Sequence, residues 1–143
     1  MRSILAATDG SEGAARGLDV AARLARALQA SLWIVHVSPD NLTSSQLRQL
    51  DRLGMSQGEA LEAFAERILN QARTRARETG VSEIHTRSCV GDASERILEI
   101  ARQEQVDAIV VGRRGRGRLA GLLLGSVSQK LVSLAPCPTV VVP

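Results

Sequence analysis

The sequence contains few aromatic residues, few cysteines and no long hydrophobic run. It has one Trp, one Phe and no Tyr among 143 residues, which disfavours recognition of single-stranded nucleic acid by base stacking. Its two cysteines, Cys89 and Cys137, are too few for a disulfide scaffold and match no metal-binding spacing. No apolar run approaches the roughly 18 residues of a membrane-spanning helix, and the apolar stretch after Met1 is too short for a signal peptide. We therefore expect a cytoplasmic protein with no membrane insertion.

Acidic residues are missing from the last quarter of the chain. Residues 1–107 carry 13 basic and 15 acidic side chains, whereas residues 108–143 carry five basic side chains and no acidic one. Four of these five are arginines within six residues, namely Arg113, Arg114, Arg116 and Arg118. Such a cluster indicates an anionic partner or a solvated surface loop, and charge alone does not decide between them.

Short apolar segments alternate with segments of helical periodicity along the whole chain. The length predicts one domain, residues 1–143. A long flexible loop is expected at residues 38–57, with a short helix within it around residues 45–53. Gly80 is placed to end the second main helix, and capping-box patterns at Asp92 and Ser126 open the last two. The predicted strands are residues 3–8, 31–37, 83–90, 107–111 and 139–142.

This alternation predicts an α/β fold, an open five-stranded parallel sheet with helices on both faces. Right-handed crossovers make such a sheet doubly wound. Ligands of these sheets bind outside the carboxyl ends of the strands, where the strand order reverses. Residues 8–10, 37–38 and 112–115 all follow predicted strands, so they belong to that edge.

Glycines and a serine follow the fourth predicted strand in a spaced pattern. Glycine lets the backbone approach an anion closely and adopt positive φ, and a helix start offers free N–H groups to phosphate. We therefore predict a phosphate site, with a glycine-rich turn and a helix N-cap as the alternative interpretation. A Walker A loop is excluded because Arg118 stands where its lysine is required. The pattern consists of Gly112, Gly115, Gly125 and Ser126.

Few residues suggest catalysis. His36 and His85 fall within predicted strands, where a core or edge histidine is the simpler interpretation. Asp9 follows the first strand, so it could accept a hydrogen bond from a ribose, bind a metal ion or cap a helix. Ser11 is the alternative cap of that helix, and Ser126 could either cap its own helix or bond a phosphate.

The assembled pattern resembles the universal stress protein family over nearly the whole chain. Its most specific element is Gly-x2-Gly-x9-Gly-Ser, which is typical of the ATP-binding branch of that family. Arg113 departs from the small residue that is common after the first glycine. The matching segments are ILAATDGSE (4–12), IVHV (34–37), VVGRRGRG (110–117) and LLLGSVSQKLVSLAPCPTVVV (122–142).

The resemblance implies an adenine-nucleotide-hydrolase-like (Rossmann-like) fold that binds ATP. Thr8, Asp9 and Val37 would then line the pocket for the base and the ribose. A divalent Mg or Mn ion would bridge the phosphates. The ribose and the phosphates would be held by Gly112, Gly115, Gly125, Ser126 and Val127.

The resemblance also implies a regulatory role in the stress response. ATP occupancy would order residues 112–125 and 38–57 and so alter a surface offered to an unidentified regulatory protein. A homodimer would pair through residues 139–142, an apolar edge strand that favours association unless it is paired. The alternative is a slow ATPase or a self-phosphorylating protein, with Asp9 orienting a metal ion or water and Ser126 or Ser128 as the acceptor. Scarce aromatic residues and an acidic remainder disfavour nucleic acid as the partner.

Overall fold

The computed structural model describes residues 1–115 and 123–143 and contains five strands and five helices within them. Arg116, Arg118 and most of the apolar stretch at residues 119–124 therefore lie outside the described residues. The elements follow in the order β1 (Ser3–Ala7), α1 (Glu12–Leu28), β2 (Ser31–Ser38), α2 (Ser44–Leu53), α3 (Gln57–Thr79), β3 (Ile84–Val90), α4 (Ala93–Gln103), β4 (Ala108–Gly112), α5 (Ser126–Leu134) and β5 (Thr139–Val142).

The five strands form one parallel sheet in the order β3-β2-β1-β4-β5. This confirms the predicted fold class. The first two crossovers step from β1 to β2 and then to β3, after which the chain returns to the other side of β1 and continues through β4 to β5. The order therefore reverses between β1 and β4, and this is the position at which such sheets bind ligands.

Neighbouring residues of each strand supply the two halves of the core. Ile4 and Ala6 of β1 pack with α1 and α3, whereas Leu5 packs with α4 and α5. Side chains of a strand point alternately to the two faces of the sheet, so a short apolar strand fills both layers at once. Because both faces are covered, the inner strands are mostly apolar, as parallel sheets require. His36 and Ser38 of β2 are buried exceptions.

The segment predicted as a long loop is largely helical. Residues 44–53 form α2, which begins with a full capping box between Thr43 and Gln46 and ends at Gly54 in the left-handed region. This helix has no buried residue, which explains why its short amphipathic pattern gave a weak signal. The short helix expected within this segment is therefore confirmed. The prediction that Gly80 ends the following helix is confirmed, with φ of 96° at that residue.

Among the described residues, no helix combines the length and the apolar character needed to cross a membrane.

Candidate functional site

A cavity of about 330 Å³ lies at the carboxyl edge, where the order of the strands reverses. It is bounded by the turn after β1, the end of β2, the first turns of α4 and α5, and the segment after β4. Seven of the eight predicted site residues line it, namely Asp9, Val37, Gly112, Gly115, Gly125, Ser126 and Val127.

Thr8 is the predicted residue that does not line this cavity. It is buried and lines a second groove, between α1 and α3 on the opposite face of the sheet. Its hydroxyl accepts a hydrogen bond from Gly10 N at 3.2 Å. Successive residues of a strand face opposite sides, so Thr8 and Asp9 cannot both point into one cavity from the end of β1.

One wall of the cavity is apolar and comes from three strands and two helices. Ala7, Val37 and Val111 supply the floor, and Ile97 of α4 and Val127 of α5 flank it. An apolar wall opposed by a few polar groups is typical of small-molecule sites. Sequence reasoning missed Ile97 and its neighbour Ala93, although the turn before α4 also lies at the carboxyl edge.

The turn between β1 and α1 holds Asp9 in place. Asp9 Oδ1 accepts a hydrogen bond from Ser11 N at 2.9 Å, and Ser11 Oγ accepts one from Ala14 N at 3.2 Å. Ser11 is therefore the cap of α1, which settles the alternative left open between Ser11 and Asp9. The Asp9 carboxylate instead belongs to the lining of the cavity.

The N-terminus of α5 differs from the capping predicted for it. Gly125 occupies the N-cap position and makes no side-chain hydrogen bond, and Ser126 is the first helical residue. The predicted capping box at Ser126 is therefore wrong. In the part of the chain that the structure describes, the other four helices each have a capping side chain, from Ser11, Thr43, Ser56 and Asp92. The first N–H groups of α5 consequently adjoin the cavity without such a cap, in an arrangement that suits an anion.

Ser128 joins the two ends of the segment between β4 and α5 by hydrogen bonds. Its hydroxyl can donate to Arg113 O at 2.8 Å or to Gly125 O at 3.0 Å. Gly125 N also donates to Arg113 O at 2.8 Å. The two ends of the segment at residues 113–125 are thus joined at one carbonyl. Ser128 is 2% exposed, so its hydroxyl serves this contact and is poorly placed to accept a phosphoryl group from solvent.

Close contacts rather than positive φ account for the glycines of the motif, most strictly at Gly112, where an added β-carbon would meet backbone atoms closer than 3.0 Å. Among the described residues, positive φ occurs at four other glycines, and the expectation of positive φ within the motif is not met. A β-carbon on Gly112 would lie 2.6 Å from Gly13 O, and one on Gly115 would lie 2.5 Å from Asp9 Oδ2. A β-carbon on Gly125 would lie 3.2 Å from Arg113 O. Each glycine therefore lets another part of the chain lie closer than a side chain would allow.

Positive charge lies at the rim of the cavity. Arg113 is exposed and Arg114 is partly buried, and both contribute to the lining. The start of α4, which adjoins the cavity through Ala93, is capped: hydrogen bonds from the Ser94 hydroxyl and from Glu95 N hold the pKa of Asp92 below its usual range. The described part of the predicted arginine cluster thus lies beside the uncapped start of α5.

Neither histidine lines the cavity. His36 is buried, and its Nδ1 lies 2.9 Å from Thr8 O. Because a carbonyl oxygen only accepts, Nδ1 must carry the proton. His85 stacks on Trp33, with the ring centres 4.6 Å apart, and lies 2.9 Å from Glu83 Oε1. The interpretation of one as a core histidine and the other as an edge histidine agrees with these contacts.

The described residues contain no cluster of three or more side chains that could hold a metal ion. Within the cavity, Asp9 supplies the carboxylate and Ser126 a hydroxyl. Mg²⁺ prefers oxygen ligands and usually bridges substrate phosphates with one or two carboxylates. The lining therefore fits a metal ion carried by phosphates better than one held by protein alone.

Comparison with known proteins gives consistent matches over the full chain. The model of the universal stress protein family matches residues 1–143. The chain is 35% identical to the universal stress protein YxiE of Bacillus subtilis, over 97% of both chains. It is also 35% identical to a universal stress protein of Thermus aquaticus, over 99% of this chain and 98% of that one.

Solved structures give the same result. The universal stress protein UspA from Lactobacillus plantarum has a TM-score of 0.81 and 26% identity, covering 99% of this chain and 97% of that one. A universal stress protein solved in complex with cAMP has a TM-score of 0.74 and 27% identity, with the same coverage.

Proposed function

Because this chain belongs to the universal stress protein family, we propose that it binds an adenine nucleotide at the carboxyl edge of the sheet and thereby regulates a partner protein in the stress response. One observation carries the proposal: seven residues predicted from the sequence line a single cavity that ends on the uncapped start of α5. The solved family member in complex with cAMP supports an adenine nucleotide as the ligand. A cytoplasmic location and an unidentified regulatory protein partner are further parts of the proposal.

The two ends of the cavity suit the two ends of a nucleotide. Val37 and the apolar wall offer contact area to a base, and Asp9 offers an acceptor to a ribose hydroxyl. Ser126 and Val127 lie in the first turn of α5, where backbone N–H groups and the helix dipole attract phosphate. Arg113 adds positive charge at the rim. A bound Mg or Mn ion would neutralise phosphate charge, with Asp9 as its nearest carboxylate.

Calorimetry on nucleotide-free protein tests this proposal. The titrants are ATP, ADP, AMP, cAMP and GTP, each with and without Mg²⁺. We expect adenine-selective binding that Gly125→Val weakens strongly, because its side chain would press on Arg113 O and fill the start of α5. Gly58→Val is the matched control, since nothing lies within 4 Å of a β-carbon at Gly58. Equal affinity in both variants would refute the assigned phosphate site.

A slow ATPase or a self-phosphorylating protein is the alternative, and the same samples test it. The described lining contains no histidine, and Ser128 is buried and already bonded. Ser126 is the exposed hydroxyl that adjoins the cavity. Binding without release of phosphate supports a regulator, whereas steady release that Asp9→Asn abolishes supports the enzyme.

The proposal includes a homodimer through β5. This strand is at the edge of the sheet. Pro138 O accepts a hydrogen bond from Ile109 N of β4, and Val142 O accepts one from Arg113 N, which directly follows β4. Backbone groups alternate in direction along a strand, so those of Thr139 and Val141 point away from β4. Val141→Pro removes one outward N–H group at an edge where proline is tolerated. We expect it to convert dimer to monomer in sedimentation analysis, and an unchanged dimer would refute pairing through β5.

A further inference from the structure

The first turn of α1 lies directly against the backbone that follows β4. A β-carbon on Gly13 would lie 2.5 Å from Arg114 O, and a β-carbon on Gly112 would lie 2.6 Å from Gly13 O. Both neighbours are backbone atoms, so no side-chain rotation can relieve either clash. Gly13 is absent from the glycine motif and does not line the cavity, yet the segment that follows β4 leaves no room for a side chain at this position.

The same face of α1 continues this contact one turn later. A β-carbon on Gly17 would lie 3.0 Å from Gly112 N and 3.2 Å from Val111 C. Residues four apart lie on one face of a helix, so Gly13 and Gly17 both pack against the backbone at the end of β4. Small residues on this face therefore set how closely the helix approaches the strand.

The helix is held more firmly than the segment that it supports. Leu18 and Ala21 are buried in the core, and Asp19 binds Arg75 of α3 through two hydrogen bonds, of 2.5 and 2.6 Å. Arg113 and Gly115, by contrast, are exposed, and the main chain of Arg113 is hydrogen-bonded at the base of the segment. An added methyl group at residue 13 would therefore displace Arg114 and Gly115 more than the helix. Because Gly125 and Ser128 are bonded to Arg113 O, the shift would reach the start of α5.

We propose that Gly13 is a positioning residue of the ligand site, which sets the place of residues 113–115 over the cavity through its contact with Arg114 O. The inference rests on the proposed binding of an adenine nucleotide in that cavity. Gly13 touches no ligand in this proposal and acts only through the segment above it. The consequence is that a change in the first turn of α1 shifts the backbone of the glycine motif.

The chain contains a matched control for this idea. Gly13 and Gly58 are both the second residue of a helix whose N-cap is a serine, Ser11 for α1 and Ser56 for α3. Nothing lies within 4 Å of a β-carbon on Gly58. Glycine to alanine at either position carries the same gain in helix propensity, up to about 1 kcal/mol. The two substitutions therefore differ chiefly in what the added methyl group meets, which is Arg114 O at Gly13 and open space at Gly58.

The experiment compares wild type, Gly13→Ala and Gly58→Ala by calorimetry with ATP and cAMP and by amide NMR without ligand. We expect Gly13→Ala to raise Kd by about tenfold, equivalent to about 1.4 kcal/mol, and to move the amide signals of Gly115 and Gly125. Gly58→Ala should change neither. Unchanged Kd and unchanged signals in folded Gly13→Ala would overturn the proposal, as would a loss of stability with wild-type affinity.

The two measurements separate this inference from the proposed function. If wild type binds no adenine nucleotide, the proposed function fails, and the amide signals still report whether Gly13 positions the segment. If Gly13→Ala does not fold, Gly17→Ala replaces it, because its contact of 3.0 Å demands a smaller shift. A Kd increase of about threefold is then expected, and wild-type affinity with unmoved Gly115 and Gly125 signals would count against the proposal.

Discussion

Replacing Ser128 by alanine tests whether the base of the segment between β4 and α5 is held by this hydroxyl. Ser128 is 2% exposed, and its Oγ lies 2.8 Å from Arg113 O. The substitution removes the donor but leaves Gly125 N bonded to the same carbonyl. No buried acceptor is therefore left without a donor, and the loss stays near the net value of one hydrogen bond, about 0.5–1.5 kcal/mol.

Alanine also favours the helix more than serine does, which offsets part of that loss by about 0.5 kcal/mol. Ser133→Ala corrects for this gain. Ser133 lies in the same helix and its hydroxyl donates to Gln129 O at 3.0 Å, but it is exposed and holds no other segment. We expect Ser128→Ala to be less stable than Ser133→Ala by about 1 kcal/mol, or about 3 °C in Tm.

Urea unfolding of both variants measures this difference, and hydrogen exchange of the Gly125 amide reports the segment directly. Exchange at Gly125 should be faster in Ser128→Ala, because its bond to Arg113 O loses the neighbouring support. The reasoning is refuted if the two variants unfold at the same urea concentration and exchange the Gly125 amide at the same rate.

Three further outcomes are expected. The Arg75 guanidinium holds the pKa of Asp19 below its usual range. The ion pair therefore stabilises the folded state above the pKa that Asp19 has in the unfolded chain. This stabilisation is lost as the pH falls through the pKa that Asp19 has in the folded state. Asp19→Asn should therefore be less stable at pH 7, by up to about 1 kcal/mol for this partly exposed pair, and the gap in urea unfolding should close below about pH 4; a constant gap would contradict this. Gly80→Ala should lose about 1–2 kcal/mol in the same assay, since φ is 96° there, and a variant as stable as wild type would show that the helix end adapts. Burial raises the pKa of the Cys89 thiol. Iodoacetamide should therefore modify Cys89 more slowly at pH 8 than it modifies free cysteine. An equal rate would show that burial does not lower the reactivity of this thiol.

The fold could be predicted because each strand carries its own signal. A segment such as Ser31–Ser38 is short, apolar and rich in branched residues, and regular alternation with helices restricts the topology to a parallel sheet. The edge that holds the site follows from that topology. The sequence suffices to place Asp9 and the glycines at this edge, because the carboxyl ends of parallel strands meet there.

The remaining features depend on contacts between distant parts of the chain. The family resemblance implies that Thr8 lines the cavity together with Asp9, but alternation at the strand end turns it to the other face. The role of Gly13 is invisible in the sequence, since it depends on how closely α1 approaches Arg114 O. Ser126 fits a capping pattern, yet Gly125 occupies the N-cap because the bond from Gly125 N to Arg113 O fixes where α5 begins.

The anchoring of residue 113 is carried entirely by its main chain. Its N–H donates to Val142 O at 2.6 Å, its carbonyl accepts from Gly125 N and Ser128 Oγ, and its side chain is exposed. The fold therefore constrains the main chain at this position more than the side chain, although it excludes proline, which has no N–H to donate to Val142 O. An arginine here costs the architecture little, because its side chain is exposed. Charge at the mouth of the cavity can thus be retuned by single substitutions, while the scaffold beneath it stays the same.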